Sequence, residues 1–289
     1  MKTSLPAAFT QSRKEFHKSL LQSILQTNSK GIPGIADKSS SASVAISTGI
    51  VRRIGAEVAG ARVAGQTSGS TFELLCQTFL QETFMQLNHL RPGNWDIKCV
   101  GGRNRLEIAK YEQYHHLIAL QNAAKKDHAL AAALGSDYTI TPDVIIVRQP
   151  EPDKNINRLQ LLIDEETARY ASLRKAVNPM PLLHASISCK WTLRSDRAQN
   201  ARSEALNLIR NRKGSLPHIV VVTGEPLPSR ISSLALGTGD IDCVYHFALH
   251  ELSDTLSELN YPEAQELLQI MVEGNRLKDI SDLPLDLAV

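Results

Sequence analysis

Short apolar runs alternate with amphipathic segments through the second half of the chain. Runs rich in Val, Ile and Leu predict buried strands, and apolar residues at helical spacing predict the helices between them. The predicted strands are 138–148, 157–164, 182–191, 218–223 and 242–247. The predicted helices are 165–175, 198–212, 229–236, 249–259 and 262–273. This alternation predicts an α/β fold with a central mixed β-sheet flanked by helices.

The first half of the chain is predicted to be mainly helical. Helices are expected over 9–25, 72–90 and 106–134, the last with a break near 126–128, and a short strand over 95–100. Small and polar residues predict loops over 27–48 and 65–71. Because no internal repeat and no linker is evident, we expect a single domain spanning 1–289.

Composition and charge limit the class of protein. Hydrophobic residues make up 42% and charged residues 21% of the chain, which is typical of a globular protein. The four cysteines form no Cys-x-x-Cys pair, and no apolar run approaches the ~20 residues of a membrane span, so we expect a cytoplasmic protein without a membrane partner. The net charge is +2, but 190–213 carries seven basic and two acidic residues, a basic face suited to a polyanion.

Candidate chemistry lies in three separated motifs. Pro142-Asp143 precedes an apolar strand, Ser188-Cys189-Lys190 ends another, and Glu204 lies on the following helix. Asp143, Glu204 and the carbonyl of Cys189 are the hard oxygen ligands that Mg2+ prefers. Lys190 is a mobile point charge able to orient and deprotonate the attacking water, or to stabilise a pentavalent phosphate, with Ser188 in support. Taken singly, each residue has an ordinary structural alternative: a strand cap, a surface lysine and a solvated helix face.

A second cluster follows the lysine directly. Arg194, Asp196 and Arg197 offer two planar donor forks and one acceptor, which is the side-chain set that reads guanine and cytosine edges in a major groove. The alternative is a local charge cluster without a ligand.

The motif order resembles that of type II restriction endonucleases of the PD-(D/E)xK superfamily, in the branch that reads CCGG. In that branch the second acid follows the lysine, as Glu204 does here. The resemblance implies a restriction-endonuclease-like core and Mg2+-dependent hydrolysis of double-stranded DNA without a nucleotide cofactor. It also implies the site GCCGGC, cut after the first G to leave four-base 5′ overhangs, and a homotetramer built from two dimers.

The resemblance assigns roles to residues by position. Asp143, Lys190 and Glu204 are implied to be catalytic and metal-binding, with Ser188 beside them and Glu73 as a further acid. The implied DNA contacts are those of Arg194, Asp196 and Arg197 with the CCGG core, Gln66 with the minor groove and Ser39 with the outer base pair. The loop around Ser39 departs from the pattern of the branch, so the outer base pair stays open.

Two other functions remain as alternatives. A DNA-binding relic that has lost cleavage has no need for Asp143, Lys190 and Glu204 together. A less specific repair nuclease of the same superfamily has no need for the cluster of Arg194, Asp196 and Arg197. The chain contains both sets.

Overall fold

Apolar runs from both halves of the chain form one six-stranded mixed sheet. The computed structural model describes residues 6–57, 68–101, 107–134, 140–193, 195–237 and 239–289, with the backbone alone at 56–57 and 195–197. The strands are β1 (Trp95–Cys99), β2 (Val144–Arg148), β3 (Leu182–Lys190), β4 (His218–Thr223), β5 (Cys243–His246) and β6 (Leu277–Asp279). Their order in the sheet is their order in the chain.

Strand direction decides which residues share an edge of the sheet. The pairs β1–β2 and β2–β3 are antiparallel, whereas β3–β4, β4–β5 and β5–β6 are parallel. Val144 lies opposite Ile187, and Lys190 lies opposite Thr223. The start of β2 therefore lies beside the ends of β3, β4 and β5, which brings polar residues from distant parts of the chain to one edge.

Helices cover the sheet and complete the core. They are α1 (Ala8–Gln22), α2 (Ser41–Glu57), α3 (Ser68–Thr83), α4 (His116–Ala124), α5 (His128–Leu134), α6 (Asp153–Ile156), α7 (Ser195–Asn211), α8 (Pro228–Ala235), α9 (Leu249–Glu258), α10 (Pro262–Glu273) and α11 (Leu283–Asp286). Short 3-10 turns follow α3 and precede α4. Helix α3 packs across β1, β2 and β3, and one contiguous apolar cluster joins the sheet to its helices. Within the described residues, no helix is both long and apolar enough to cross a membrane.

The predicted α/β architecture is confirmed, and most of its central elements lie within a few residues of the predicted bounds. The segment 157–175 is different, because the strand predicted over 157–164 and the helix predicted over 165–175 are both wrong. Asn157 Oδ1 accepts the backbone N–H groups of Leu162 and Ile163, and Asp164 Oδ1 accepts those of the residues that follow it. Such local side-chain to backbone hydrogen bonds compete with the backbone hydrogen bonds of a β-sheet or a helix. The left-handed backbone of Ala168 (φ 51°) then interrupts any helix.

The loop predicted over 27–48 is wrong in its second half, since α2 begins at Ser41. Ser40 Oγ accepts the N–H of Ser43 at 3.2 Å, so the serine-rich stretch caps a helix. The small side chains allow α2 to pack closely against α9, where a Cβ on Gly49 would collide with Thr255. Strand β2 also begins later than predicted, at Val144, and 135–139 lie outside the described residues.

Candidate active site

An aspartate and a lysine meet at the edge of the sheet where β2 begins and β3 ends. Asp143 directly precedes β2, and Lys190 is the last residue of β3. Since these strands are antiparallel, their two ends lie side by side. Lys190 Nζ donates a hydrogen bond to Asp143 Oδ2 at 2.7 Å, and each side chain is less than one-fifth exposed.

The same carboxylate oxygen binds the two residues before the lysine. Asp143 Oδ2 accepts the N–H of Cys189 at 2.7 Å and a longer bond from Ser188 Oγ at 3.4 Å. The Cys189 carbonyl points the same way as its N–H, toward Asp143, because both groups of one residue face the same neighbour in a strand. The thiol of Cys189 lies on the other face of the sheet and contacts Cys76 of α3.

The lysine remains a cation in this setting. Burial favours the neutral amine, but the charge and hydrogen bond of Asp143 outweigh it, and Glu204 adds to them, so the pKa of Lys190 is raised. A protonated amine cannot accept a proton from water. The hydrogen bond to Asp143 and the raised pKa therefore favour Lys190 as a charged donor over Lys190 as a base.

Two further carboxyl groups face this pair. Burial, followed by repulsion from Asp143, raises the pKa of Glu204 on α7 to about 8, against the opposing charge of Lys190. The same two causes raise the pKa of Glu73 on α3 to about 7. Among the described residues, Glu204 Oε1 has no hydrogen-bond partner. Among the described residues, the structure thus brings Glu73 and Glu204 near the bonded pair of Asp143 and Lys190.

The donor set at this edge fits Mg2+. The groups are carboxylates and one backbone carbonyl, which are hard oxygen donors. A buried carboxylate oxygen without a partner is costly unless a cation or a donor satisfies it. Within the part of the chain that the structure describes, no group of three or more His, Cys, Asp or Glu side chains is placed to hold a metal ion. Mg2+ needs fewer protein ligands, since it keeps several waters and is bound through one or two carboxylates.

The structure describes only some of the predicted DNA-reading residues. Arg194 and Gln66 lie outside the described residues. Asp196 and Arg197 lie in the first turn of α7, where only the backbone is described, six and seven residues after Lys190. Ser39 is exposed in the turn before α2, where its hydroxyl donates to Asp37 Oδ1 at 2.6 Å.

Sequence reasoning missed an ion pair beside Ser39. Arg230 of α8 binds Asp37 at 2.5 Å, although 193 positions separate them in the chain. Both line a polar cavity of about 590 Å³ next to the start of α7, together with Ser39, Leu193, Ala198, Ser229 and Ser233. No pattern around either residue distinguishes it from an ordinary surface charge. Only the fold brings this guanidinium and this carboxylate together beside the predicted reading segment.

Similarity to known proteins assigns the chain to a family. The model of the NgoMIV restriction enzyme matches residues 16–289. The chain belongs to the NgoMIV restriction enzyme family. The type II restriction enzyme NgoMIV of Neisseria gonorrhoeae is 62% identical over 282 residues, which cover 97% of this chain and 99% of that enzyme. This member of the NgoMIV family is therefore a restriction endonuclease, a DNA-binding hydrolase, as the sequence predicted.

Proposed function

We propose that this restriction endonuclease requires Mg2+ and hydrolyses both strands of GCCGGC after the first G, leaving four-base 5′ overhangs. The observation that carries the metal-dependent chemistry is the bonded pair of Asp143 and Lys190 facing the unpartnered carboxylate of Glu204. The recognition sequence and cut position rest on the resemblance to the CCGG-reading branch, which the membership of the NgoMIV family supports.

Asp143, Glu204 and the carbonyl of Cys189 would hold the ion, with Glu73 as a further acid nearby. When bound, Mg2+ supplies a nucleophilic water near neutral pH and neutralises charge on the phosphate. Lys190 contributes a protonated amine, which Asp143 Oδ2 orients at 2.7 Å, to stabilise negative charge developing on the scissile phosphate. Ser188 donates to the same carboxylate and helps to fix its orientation.

The first turn of α7 is the proposed reading element for the CCGG core. Arginine binds guanine through two donors, and aspartate accepts from the cytosine amino group, so Arg194, Asp196 and Arg197 match the G·C pairs of the core. Gln66 is proposed to reach the minor groove. The cavity that holds Ser39, Asp37 and Arg230 presents another donor fork and acceptor beside α7, which supports an outer G·C pair.

We also propose a homotetramer of two dimers. A palindromic duplex needs one active site per strand, which a two-fold dimer provides. The connection from β2 to β3 carries Leu159, Leu161 and Tyr170 with at least four-fifths of each side chain exposed. This connection leaves the end of β2 and enters the start of β3, at the opposite end of these strands from Asp143 and Lys190. Contact between dimers there would bury apolar surface and leave the active sites facing outward.

Cleavage of a sequenced plasmid tests the proposed reaction. We expect discrete fragments with Mg2+ and none with EDTA, and sequenced ends that begin with CCGG. Cleavage at a different discrete site would overturn the recognition sequence alone. A metal-dependent smear would favour the repair nuclease, and a gel shift of intact DNA in Mg2+ would favour the binding relic.

Light scattering coupled to size exclusion tests the assembly. We expect the mass of four chains for the wild type and of two chains for the triple variant Leu159→Ser, Leu161→Ser and Tyr170→Ser. Ile270→Ser is a matched control, since Ile270 is also an exposed apolar residue but lies on α10. A tetramer that survives the triple variant would contradict the proposed interface.

A further inference from the structure

A buried glutamate at the end of β4 bonds to the chain just before the reading residues. Glu225 is fully buried. Its Oε2 accepts the backbone N–H of Leu193 at 2.8 Å, and its Oε1 accepts that of Leu227 at 3.2 Å. Leu193 precedes Arg194 directly, yet it is 32 positions away from Glu225 in the chain. A buried carboxylate is costly unless its oxygens are bonded, so this geometry is strongly held.

Residues 191–193, which lead from Lys190 toward α7, contact this end of β4. Thr223 Oγ1 donates to the Lys190 carbonyl at 2.8 Å. A Cβ on Gly224 would lie 2.8 Å from the Trp191 carbonyl oxygen, so only glycine allows this close approach. The Trp191 ring packs between Phe72 and Phe247, with centroids at 4.9 and 5.8 Å.

The same carboxylate is connected to the second reading segment. Glu225 Oε1 lies 3.7 Å from the Arg230 guanidinium. Arg230 binds Asp37, and Asp37 in turn accepts the hydroxyl and N–H of Ser39. One buried carboxylate thus contacts the start of the core-reading segment and, through one arginine, the loop proposed to read the outer base pair.

We propose that Glu225 is a positioning residue for sequence discrimination, which holds the two DNA-reading segments at a fixed distance from each other and from Lys190. This role rests on the proposed reading functions of Arg194, Asp196, Arg197 and Ser39. Glu225 itself is buried beneath the segments and acts through the backbone of Leu193 and the side chain of Arg230.

Glu225→Gln tests the role with little change in volume. Its amide offers one acceptor and one donor, so one of the two N–H groups that Glu225 satisfies loses its partner. Asp279→Asn is the matched control, because Asp279 is a fully buried carboxylate that binds Arg13 and the N–H of Leu249. Thr223→Val is a second variant of the same shape, which removes both the bond to the Lys190 carbonyl and the acceptor for the backbone N–H of Glu225.

The measurement is a discrimination ratio: kcat/KM for the preferred duplex divided by kcat/KM for a duplex with one substituted base pair. Each variant is assayed in Mg2+ at the same number of degrees below its own Tm. Plasmid cleavage first identifies the site that the wild-type enzyme prefers. We expect Glu225→Gln to lower the ratio by about tenfold or more, Thr223→Val to lower it less, and Asp279→Asn to lower Tm alone.

An unchanged ratio in Glu225→Gln, with a Tm loss like that of Asp279→Asn, would overturn the positioning role. If Glu225→Gln does not fold, an unchanged ratio in Thr223→Val overturns it. A wild-type preference for a site other than GCCGGC would overturn the proposed recognition sequence instead, since the ratio can be measured for any preferred site.

Discussion

At the scale of single residues, the site is defined by an excess of carboxylates over cations. Lys190 donates a hydrogen bond to Asp143. Its positive charge also attracts Glu204 and Glu73, but from a longer distance. Burial, followed by repulsion from Asp143, raises the pKa of each glutamate, so a second and a third negative charge are unfavourable here. A divalent cation would relieve the repulsion, which supports the proposed metal site.

Glu204→Gln should separate metal binding from folding. The amide removes a buried charge that repels Asp143, so we expect Tm in EDTA to be equal to or higher than that of the wild type. We expect the rise in Tm on adding Mg2+ to shrink, because a ligand is lost. Calorimetry with and without Mg2+ measures both effects. A lower Tm in EDTA combined with an undiminished Mg2+ response would contradict the assignment of Glu204 as a ligand.

Lys190→Ala should remove cleavage without removing DNA binding. Loss of one preorganised donor to developing charge costs about 10²–10³ in rate, so we expect at least a hundredfold loss in kcat. Lys278→Ala is the matched control, since Lys278 also binds an aspartate, Asp286, at 2.7 Å but lies in β6. Single-turnover cleavage and a gel shift in EDTA measure the two properties. Normal cleavage by Lys190→Ala would refute its catalytic role.

At the scale of elements, the end of β4 acts as the support for the chain that leaves β3. The parallel pairing aligns Lys190 with Thr223, so the next residues of the two strands run side by side. Gly224 is the closest point of this approach. Helix α7, the proposed reading element, therefore starts from a position set by a neighbouring strand rather than by its own sequence.

Gly224→Ala should disturb activity through this contact. The added methyl group would force the Trp191 backbone to move, and overpacking of this kind costs about 1–3 kcal/mol of folding free energy. We expect a loss of cleavage larger than the loss of stability explains. Gly49→Ala is the control, since its methyl group would collide with Thr255 where α2 packs on α9. Urea denaturation measures the loss of stability in each variant, and kcat/KM measures the loss of activity. Equal losses of activity in two equally stable variants would contradict the prediction.

At the scale of the whole molecule, the chain end is fastened to the sheet through a buried histidine. His184 on β3 hydrogen-bonds the Leu287 carbonyl at 2.7 Å and packs against Trp95. Burial lowers the pKa of His184 from 6.5 to about 4. The native protein therefore keeps this ring neutral at a pH at which the unfolded chain is protonated.

The stability difference between the wild type and His184→Gln should depend on pH. A folded-state pKa below the unfolded value gives stability that is present above pH 6.5 and is lost as the pH falls toward 4. We expect the wild type to lose up to about 1.4 kcal/mol per pH unit relative to the variant in this window. The carboxyl groups whose pKa is raised have the opposite effect on stability as the pH changes. They are present in both proteins, so their effect cancels in the difference. Urea denaturation in EDTA measures the difference, and a constant difference from pH 7 to 4.5 would contradict the prediction.

The strands β2 and β4 were predictable because each is almost wholly an apolar run, and such runs have few alternatives. The grouping of Asp143 with Lys190 follows from motif order once the two strands are antiparallel. The bond between Asp37 and Arg230 was not predictable, because no local pattern marks a pair so far apart in the chain. The irregular segment 157–175 was mispredicted, because side-chain to backbone bonds override its apolar periodicity.

The two proposed reading segments differ in how freely their sequences can diverge. The segment that begins at Arg194 is covalently continuous with Lys190 and is held by Glu225, so changing it risks the chemistry. The turn that holds Ser39 comes from a distant part of the chain and is attached by the side chains of Asp37 and Arg230. We therefore expect new specificities in this family to arise first at the outer base pair, by exchange of a short turn, while the inner four bases stay fixed. For an engineer, the turn around Ser39 is the replaceable part of the enzyme.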